Sequence, residues 1–248
     1  MSSFKTALAG DSPLYGLWQS LASPYSAEIC AGAGFDWLLF DGEHAPNTIQ
    51  TMLAQLQAVA RFPLEPIARV PVGDPTIIKQ YLDIGFRTLL VPMVDSAEQA
   101  RRIVAATRFP PLGMRGVAST IARASGFGTR ADYLESAHME ICLIAQIESR
   151  AALDAVDAIA AVDGIDALFI GPSDLAASLG HLGNPLHPDV QEEIACLLGR
   201  ISASGKPAGI FAFSPADARA RAEQGVRFIS VGTDIGILSN GAKMAART

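Results

Sequence analysis

Eight short apolar runs, each followed by a longer amphipathic stretch, constrain this chain more than any other feature. They lie at 14–20 (LYGLWQS), 37–41 (WLLFD), 66–71 (PIARVP), 88–94 (TLLVPMV), 141–148 (ICLIAQIE), 167–171 (ALFIG), 207–213 (PAGIFAF) and 228–232 (FISVG). Short apolar runs alternating with helical patterns read as βα units around a parallel sheet. The helical stretches carry start signals. "NTIQTMLAQLQAVAR" opens on Asn47 as its cap, and "SAEQARRIVAATR" opens on Ser96 with Glu98 in the first turn. "SPADARARAEQG" opens on Ser214 and closes on Gly225. Eight units in 248 residues predict a single (β/α)8 barrel domain over 1–248. A doubly wound open sheet is the alternative, but it would place a Gly-rich fingerprint after the first strand, and "WQSLASPYS" has none.

Composition sets outer limits on function. A net charge of −6 without a basic block argues against nucleic acid as a partner. Half the residues are apolar, enough for a large core and for extra apolar surface of the kind subunit contacts cover. Cys30, Cys142 and Cys196 are far apart, with neither metal-ligand nor CxxC spacing, and read as reduced thiols. No signal-peptide core and no long apolar span is present, so the expectation is a soluble cytoplasmic protein without membrane contact. One segment, "FPPLGMRGVASTIARASGFGTR" (109–130), has no clear period and reads as a long functional or disordered loop.

A barrel presents its chemistry at the C-terminal ends of the strands. Those ends offer Trp18 and Gln19, then Asp41-Gly42-Glu43-His44, Arg69, Gln146 with Glu148, Gly171-Pro172-Ser173-Asp174, and Gly232-Thr233-Asp234. Glu148 and Asp174, from neighbouring strands, suit a hard divalent cation such as Mg²⁺ or Mn²⁺, with Gln146 pointing the same way by strand alternation. Each could instead cap the helix that follows. Backbone N–H groups around Ser173 and Asp174 could hold a carboxylate, or form an ordinary strand-to-helix turn. Arg69 reads either as ion-pair scaffolding or as a group for a developing oxyanion. His44 follows a strand end with Asp41 nearby to orient it, and an imidazole titrates near neutrality, as a general base must. His138, His181 and His187 read as structural. Phe211 and Phe213 are placed to shape a pocket or to pack the barrel. None of Lys5, Lys79, Lys206 and Lys243 falls at a strand's C-terminal end, which argues against Schiff-base chemistry. No Gly-rich phosphate cradle follows the last two strands. These residues point to a metal-assisted lyase or isomerase acting on a small unphosphorylated anion.

Taken in order, "FDGEH", "ARVP", "VPMVDSAEQA", "PPLGMRG", "AQIES" and "FIGPSDLAASLG" resemble the HpcH/HpaI group of class II, metal-dependent pyruvate aldolases. The likeness runs from "GLWQS" to "VGTD". It implies reversible aldol cleavage of 4-hydroxy-2-oxo acids, of the 4-hydroxy-2-oxoheptanedioate or 2-keto-3-deoxy sugar acid type. The products are pyruvate and an aldehyde, formed via a metal-bound pyruvate enolate in an aromatic or sugar-acid degradation pathway. It further implies Mg²⁺, Mn²⁺ or Co²⁺ on Glu148 and Asp174, with Gln146 and the Gly171-Pro172-Ser173 backbone on pyruvate. Arg69 falls to the enolate oxygen and His44 to proton transfer. An aspartate matching Asp83 is paired with that histidine, although Asp83 falls late in a helix, which leaves Asp41 or a neighbouring subunit's residue as alternatives. A last helix exchanged between subunits, and dimers assembled into a homohexamer, also follow from the resemblance. The rival expectations are a malyl- or citramalyl-thioester lyase of the same barrel superfamily, lacking an evident basic patch for coenzyme A, and a non-catalytic binding barrel.

Overall fold

In the computed structural model, which describes residues 3–247, all eight strands are parallel and pair in chain order into a closed barrel. They are β1 (Leu14–Gln19), β2 (Trp37–Asp41), β3 (Glu65–Arg69), β4 (Thr88–Val91), β5 (Cys142–Ile147), β6 (Ala167–Ile170), β7 (Ala208–Phe211) and β8 (Phe228–Thr233). β8 returns to β1, with Leu14 beside Phe228, so no strand edge is left open. The barrel expected from sequence is therefore the one observed, with strand bounds shifted by at most a few residues.

Alternation along the strands divides the core into two shells. Trp18, Trp37, Leu39, Ile67, Leu90, Ile144, Phe169 and Phe228 fill the lumen. The opposite face of each strand, including Leu17, Phe40, Ala68, Leu143 and Ile210, packs against the outer helices. Three of the outer helices are α2 (Pro24–Ala31), α3 (Ile49–Val59) and α4 (Pro75–Asp83). Later come α5 (Ala97–Thr107), α6 (Tyr133–Glu140), α7 (Arg150–Ala160), α8 (Pro172–Ser178), α9 (Pro188–Ala203), α10 (Pro215–Glu223) and α11 (Asp234–Ala245).

α7 shows why these segments are helical. Ser149 caps it by accepting the Ala152 N–H at 3.0 Å, and Leu153, Val156, Ile159 and Ala160 recur at helical spacing and are buried. Each large side chain of that set contributes about 1.5–3 kcal/mol by leaving water, so a charge at Val156 would break the packing. The start signals at Ser96 and Ser214 hold in the same way, each accepting a backbone N–H three residues on. The cap of α3 is Thr48 rather than Asn47, because Thr48 and Thr51 satisfy each other's backbone N–H groups in a capping box. Asn47 instead donates to the Asp41 carbonyl at 2.8 Å, fastening the β2 loop.

One feature lay outside the sequence reading, and the 109–130 loop is more ordered than its sequence suggests. A short N-terminal helix, α1 (Ser3–Leu8), buries Phe4 and Leu8 in the lumen, with Phe4 edge-on to Phe228 at 5.8 Å. It stoppers the N-terminal end of the barrel. The 109–130 segment is irregular apart from a 3-10 turn at Arg123–Ser125, but it is not loose. Arg115 is 3 % exposed and bonds to Asp83 and to the Tyr133 hydroxyl. Among the described residues, no helix is long and apolar enough to cross a membrane.

Candidate active site

The inward alternation that fills the lumen also decides what reaches its C-terminal mouth. Leu39 to Asp41, Ile67 to Arg69, Ile144 to Gln146 and Glu148, and Phe169 to Gly171 each step two residues up a strand into the rim. Asp41 and Arg69 are register partners across β2 and β3. Arg69 Nε donates to Asp41 Oδ1 at 2.9 Å and Nη2 to Oδ2 at 2.7 Å, while Nη1 lies 2.7 Å from Glu43 Oε2. The guanidinium lies over the Trp18 ring at 4.3 Å, and the Trp18 indole N–H has no acceptor among the described residues. Arg69 is thus held on three sides, which fixes its charge at the mouth of the barrel.

Asp41 holds the backbone of His44 but makes no contact with its imidazole among the described residues, unlike the side-chain pairing read from sequence. Its Oδ1 accepts the backbone N–H groups of Glu43 (2.9 Å) and His44 (3.3 Å), and both its oxygens serve Arg69. The carboxylate near the imidazole is Glu43, with Oε2 4.0 Å from His44 Nε2, and the His44 side chain is 66 % exposed. Gly42, between Asp41 and Glu43, is obligatory, since a Cβ there would come within 2.3 Å of the Tyr81 hydroxyl and 2.6 Å of the Arg69 carbonyl. Asp83 is also placed away from His44 within one chain. It ends α4, a helix that runs back from the rim, and forms an ion pair with Arg115 at 2.7 Å.

Glu148 sits at the centre of the rim, 2 % exposed. Its Oε1 accepts the Met93 N–H at 2.9 Å, its Oε2 accepts from Gln146 Nε2 at 2.5 Å, and among the described residues no cation touches it. Burial drives its pKa up to about 7, the nearby Asp174 and Glu43 add to the rise, and the Met93 N–H and Arg69 oppose it. Glu43 is raised too, by burial first, against the pull of Arg69. Asp174 lies in the first turn of α8 and is half-buried. The cap of that helix is Gly171, so Asp174 is not the capping group that the sequence left open. A Cβ on Gly171 would fall 2.4 Å from Glu148 Oε2 and 2.9 Å from Gln146 Nε2, so only glycine leaves room for this pair. Pro172 is buried and Ser173 exposed at the same turn.

This donor set fits a hard divalent cation. Asp41 and Glu43 pair with the Arg69 guanidinium, and Asp174 lies near enough to Glu43 and Glu148 to act on both, leaving negative charge in excess. A buried carboxylate without a counter-charge is costly, and the side-chain Oε1 of Gln146 is buried with no hydrogen-bond partner among the described residues. An ion taking oxygens from Glu148 and Asp174 would supply the missing counter-charge.

Phe211 borders the same mouth, its ring 5.9 Å from Trp18 and 5.5 Å from Phe213. The lysines lie elsewhere. Lys5 pairs with Asp166, Lys206 donates to the Ile165 carbonyl, and Lys79 and Lys243 sit on α4 and α11. Lys5 and Lys206 line a cavity of about 560 Å³ at the N-terminal face, remote from Glu148 and Asp174. His181 and His187 stack at 3.7 Å beside Asp189, and His187 caps α9. Glu43's contact with Arg69, and the Met93 loop behind Glu148, were not assigned from sequence. Both are contacts between distant segments.

Comparison with known proteins agrees with this geometry. The chain is 57% identical over 99% of its length to a hydroxypyruvate/pyruvate aldolase of Deinococcus radiodurans, of which it covers 88%. It is 51% identical over 99% of its length to a 4-hydroxy-2-oxo-heptane-1,7-dioate aldolase of Salmonella dublin, covering 94% of that protein. A crystal structure of an HpcH/HpaI aldolase/citrate lyase family protein from Burkholderia cenocepacia superposes with a TM-score of 0.96. That protein is 45% identical, and the match covers 100% of this chain and 98% of the other. The model of one family matches residues 14–241, from the first strand into the last helix, and the chain belongs to that family, HpcH/HpaI aldolase/citrate lyase.

Proposed function

We propose that this protein is a carbon–carbon lyase, cleaving 4-hydroxy-2-oxo acids reversibly into pyruvate, or a close 2-oxo acid such as hydroxypyruvate, and an aldehyde. The observation that carries this reading is 51–57% identity across almost the whole chain to proteins named as aldolases of this type. The rim supports it, because a cluster of oxygen donors beside one fixed arginine suits a 2-oxo acid held on a divalent cation.

Glu148 and Asp174 would hold Mg²⁺, Mn²⁺ or Co²⁺. When bound, the ion supplies Lewis acidity that eases formation of negative charge on the 2-oxo acid. Arg69, immobilised by Asp41 and Glu43, places positive charge where the 2-oxo oxygen becomes negative. Gln146 and the backbone at Gly171, Pro172 and Ser173 orient the pyruvyl portion. His44 takes the proton of the 4-hydroxyl at Nε2, with Glu43 Oε2 4.0 Å away. The C3–C4 bond then breaks, its electron pair stays with C3, the aldehyde leaves, and C3 is protonated to give pyruvate. Trp18 and Phe211 give the aldehyde end an apolar wall. Asp83 has no role in this scheme within one chain.

The whole chain acts as one barrel domain, and we place it in the cytoplasm, where three unpaired cysteines are stable. α11 leaves Ile237, Leu238 and Met244 exposed, a face suited to a second copy and to the hexamer of exchanged helices that the resemblance implies. The decisive experiment is pyruvate release from 4-hydroxy-2-oxo acids with and without a chelator. Release should stop with chelator and return with Mn²⁺ or Mg²⁺. Chelator-resistant release would refute the metal, and no release from any such acid would refute the aldolase.

A further inference from the structure

The loop between β4 and α5 holds a strained residue against the centre of the rim. Met93 has φ +52, in the left-handed region, where a residue with a side chain pays roughly 1–2 kcal/mol. That conformation turns its N–H onto Glu148 Oε1 at 2.9 Å. A strained conformer persists only where its surroundings over-determine it, and the group that does so is Gln99, in the first turn of α5. Its Nε2 donates to the Met93 carbonyl at 2.8 Å, and its Oε1 accepts the Asp95 N–H at 2.9 Å. One side-chain amide thus grips the backbone on both sides of Val94. From below, the Val94 N–H donates to the Gln146 carbonyl at 3.3 Å, and Ser149 Oγ donates to Asp95 Oδ1 at 2.5 Å. The loop is therefore tied to residues on each side of Glu148 in sequence.

We propose that Gln99 is a positioning residue for Glu148. It never reaches the rim itself, and it acts through the Met93 N–H to hold Glu148 Oε1, while Gln146 holds Oε2, so that the carboxylate presents a fixed direction to a cation. This rests on the reading of Glu148 as an ion ligand. Outer-shell partners of this kind change metal affinity by about 10–100-fold when lost. The competing account is that Gln99 only completes the start of α5, where Ser96 already caps the helix.

Gln99→Glu separates the two accounts. It keeps an acceptor for the Asp95 N–H and adds a negative charge favourable to a first turn, so a capping role predicts no loss. It removes the donor to the Met93 carbonyl and sets a carboxylate oxygen against it, so a positioning role predicts a loosened Met93. The test is calorimetric titration of Mn²⁺ into the metal-free full chain, with thermal unfolding of the metal-free form alongside. We expect Q99E and Q99L both to bind Mn²⁺ about 10-fold or more weakly, with Q99E melting within about 2 °C of the parent. Turnover at saturating Mn²⁺ should be retained, with the loss confined to the Mn²⁺ concentration needed for half activation. Adding Met93→Gly to Q99E, which makes the left-handed conformation unstrained, should return part of the affinity even if Q99E alone folds poorly. Parent-like Mn²⁺ binding by Q99E, or no recovery in the double variant, overturns the proposal. E148Q serves as the reference. If the parent binds no Mn²⁺, or E148Q binds it equally well, the ion-site reading itself has failed and Gln99 falls with it.

Discussion

Arg69 and Asp41 form a two-bond clamp across neighbouring strands, with side chains only 5 % and 4 % exposed, and Glu43 closes on the third nitrogen at 2.7 Å. The pair is the hinge between fold and chemistry, since the same aspartate also holds the backbone of Glu43 and His44. Asp41→Asn leaves a buried guanidinium with half its counter-charge. Denaturant unfolding should show a loss on the order of 3 kcal/mol, with kcat/KM falling alongside. An unchanged midpoint would mean that Glu43 alone suffices.

Glu148 should make the metal-free protein less stable as pH rises. Its folded pKa, about 7, lies above the ordinary 4.5, so the folded form binds the proton more tightly than the unfolded chain does. The resulting stabilisation is complete below 4.5 and disappears as pH climbs through 7. The span corresponds to roughly 3 kcal/mol. Glu148→Gln should flatten this slope, so that at pH near 8 the metal-free variant melts higher than the parent while binding no Mn²⁺. A parallel pH slope in both proteins would count against the assignment.

Gly171→Ala should act on the ion site without replacing a ligand. The new methyl would sit 2.4 Å from Glu148 Oε2, so the carboxylate must swing away. Mn²⁺ affinity should fall about 10-fold or more, readable by calorimetry. Retained affinity would show that Glu148 has another workable position.

His44→Ala should separate catalysis from structure. The side chain is largely exposed and makes no short contact, so unfolding free energy should change by less than about 0.5 kcal/mol and Mn²⁺ affinity should hold. Pyruvate release should slow by about 10²–10⁴-fold. A normal rate would remove His44 from the proton path.

The barrel was legible because strand burial is written locally: "WLLFD" and "ICLIAQIE" need no distant residue to be recognised, and their period of two already aims Asp41, Gln146 and Glu148 at one mouth. What escaped was pairing across sequence. Asp41 lies three residues from His44, yet its partner is Arg69, 28 positions away, because a buried guanidinium demands charge more strongly than an exposed imidazole does. The late-helix position of Asp83 already set it apart from His44 within one chain, and α4 does carry it away from the rim, against Arg115; the pairing with His44 that the resemblance implies would need a neighbouring subunit's Asp83. The Asn47 cap missed by one position, since a capping box needs the Thr48–Thr51 pair and not the first polar residue met. The Met93 turn had no local signal, because methionine is not a residue chosen for positive φ.

The stopper formed by Phe4 and Leu8 makes the barrel a bowl and not a tube. Above it Trp37, Phe169 and Phe228 fill the lumen, and Trp18 makes the floor of the reaction chamber. Substrate, product and water therefore share one doorway, framed by the loops after each strand. Reactivity and stability are thereby parted along the barrel axis, so the loops can be rebuilt for a different aldehyde while the sealed base keeps the fold intact.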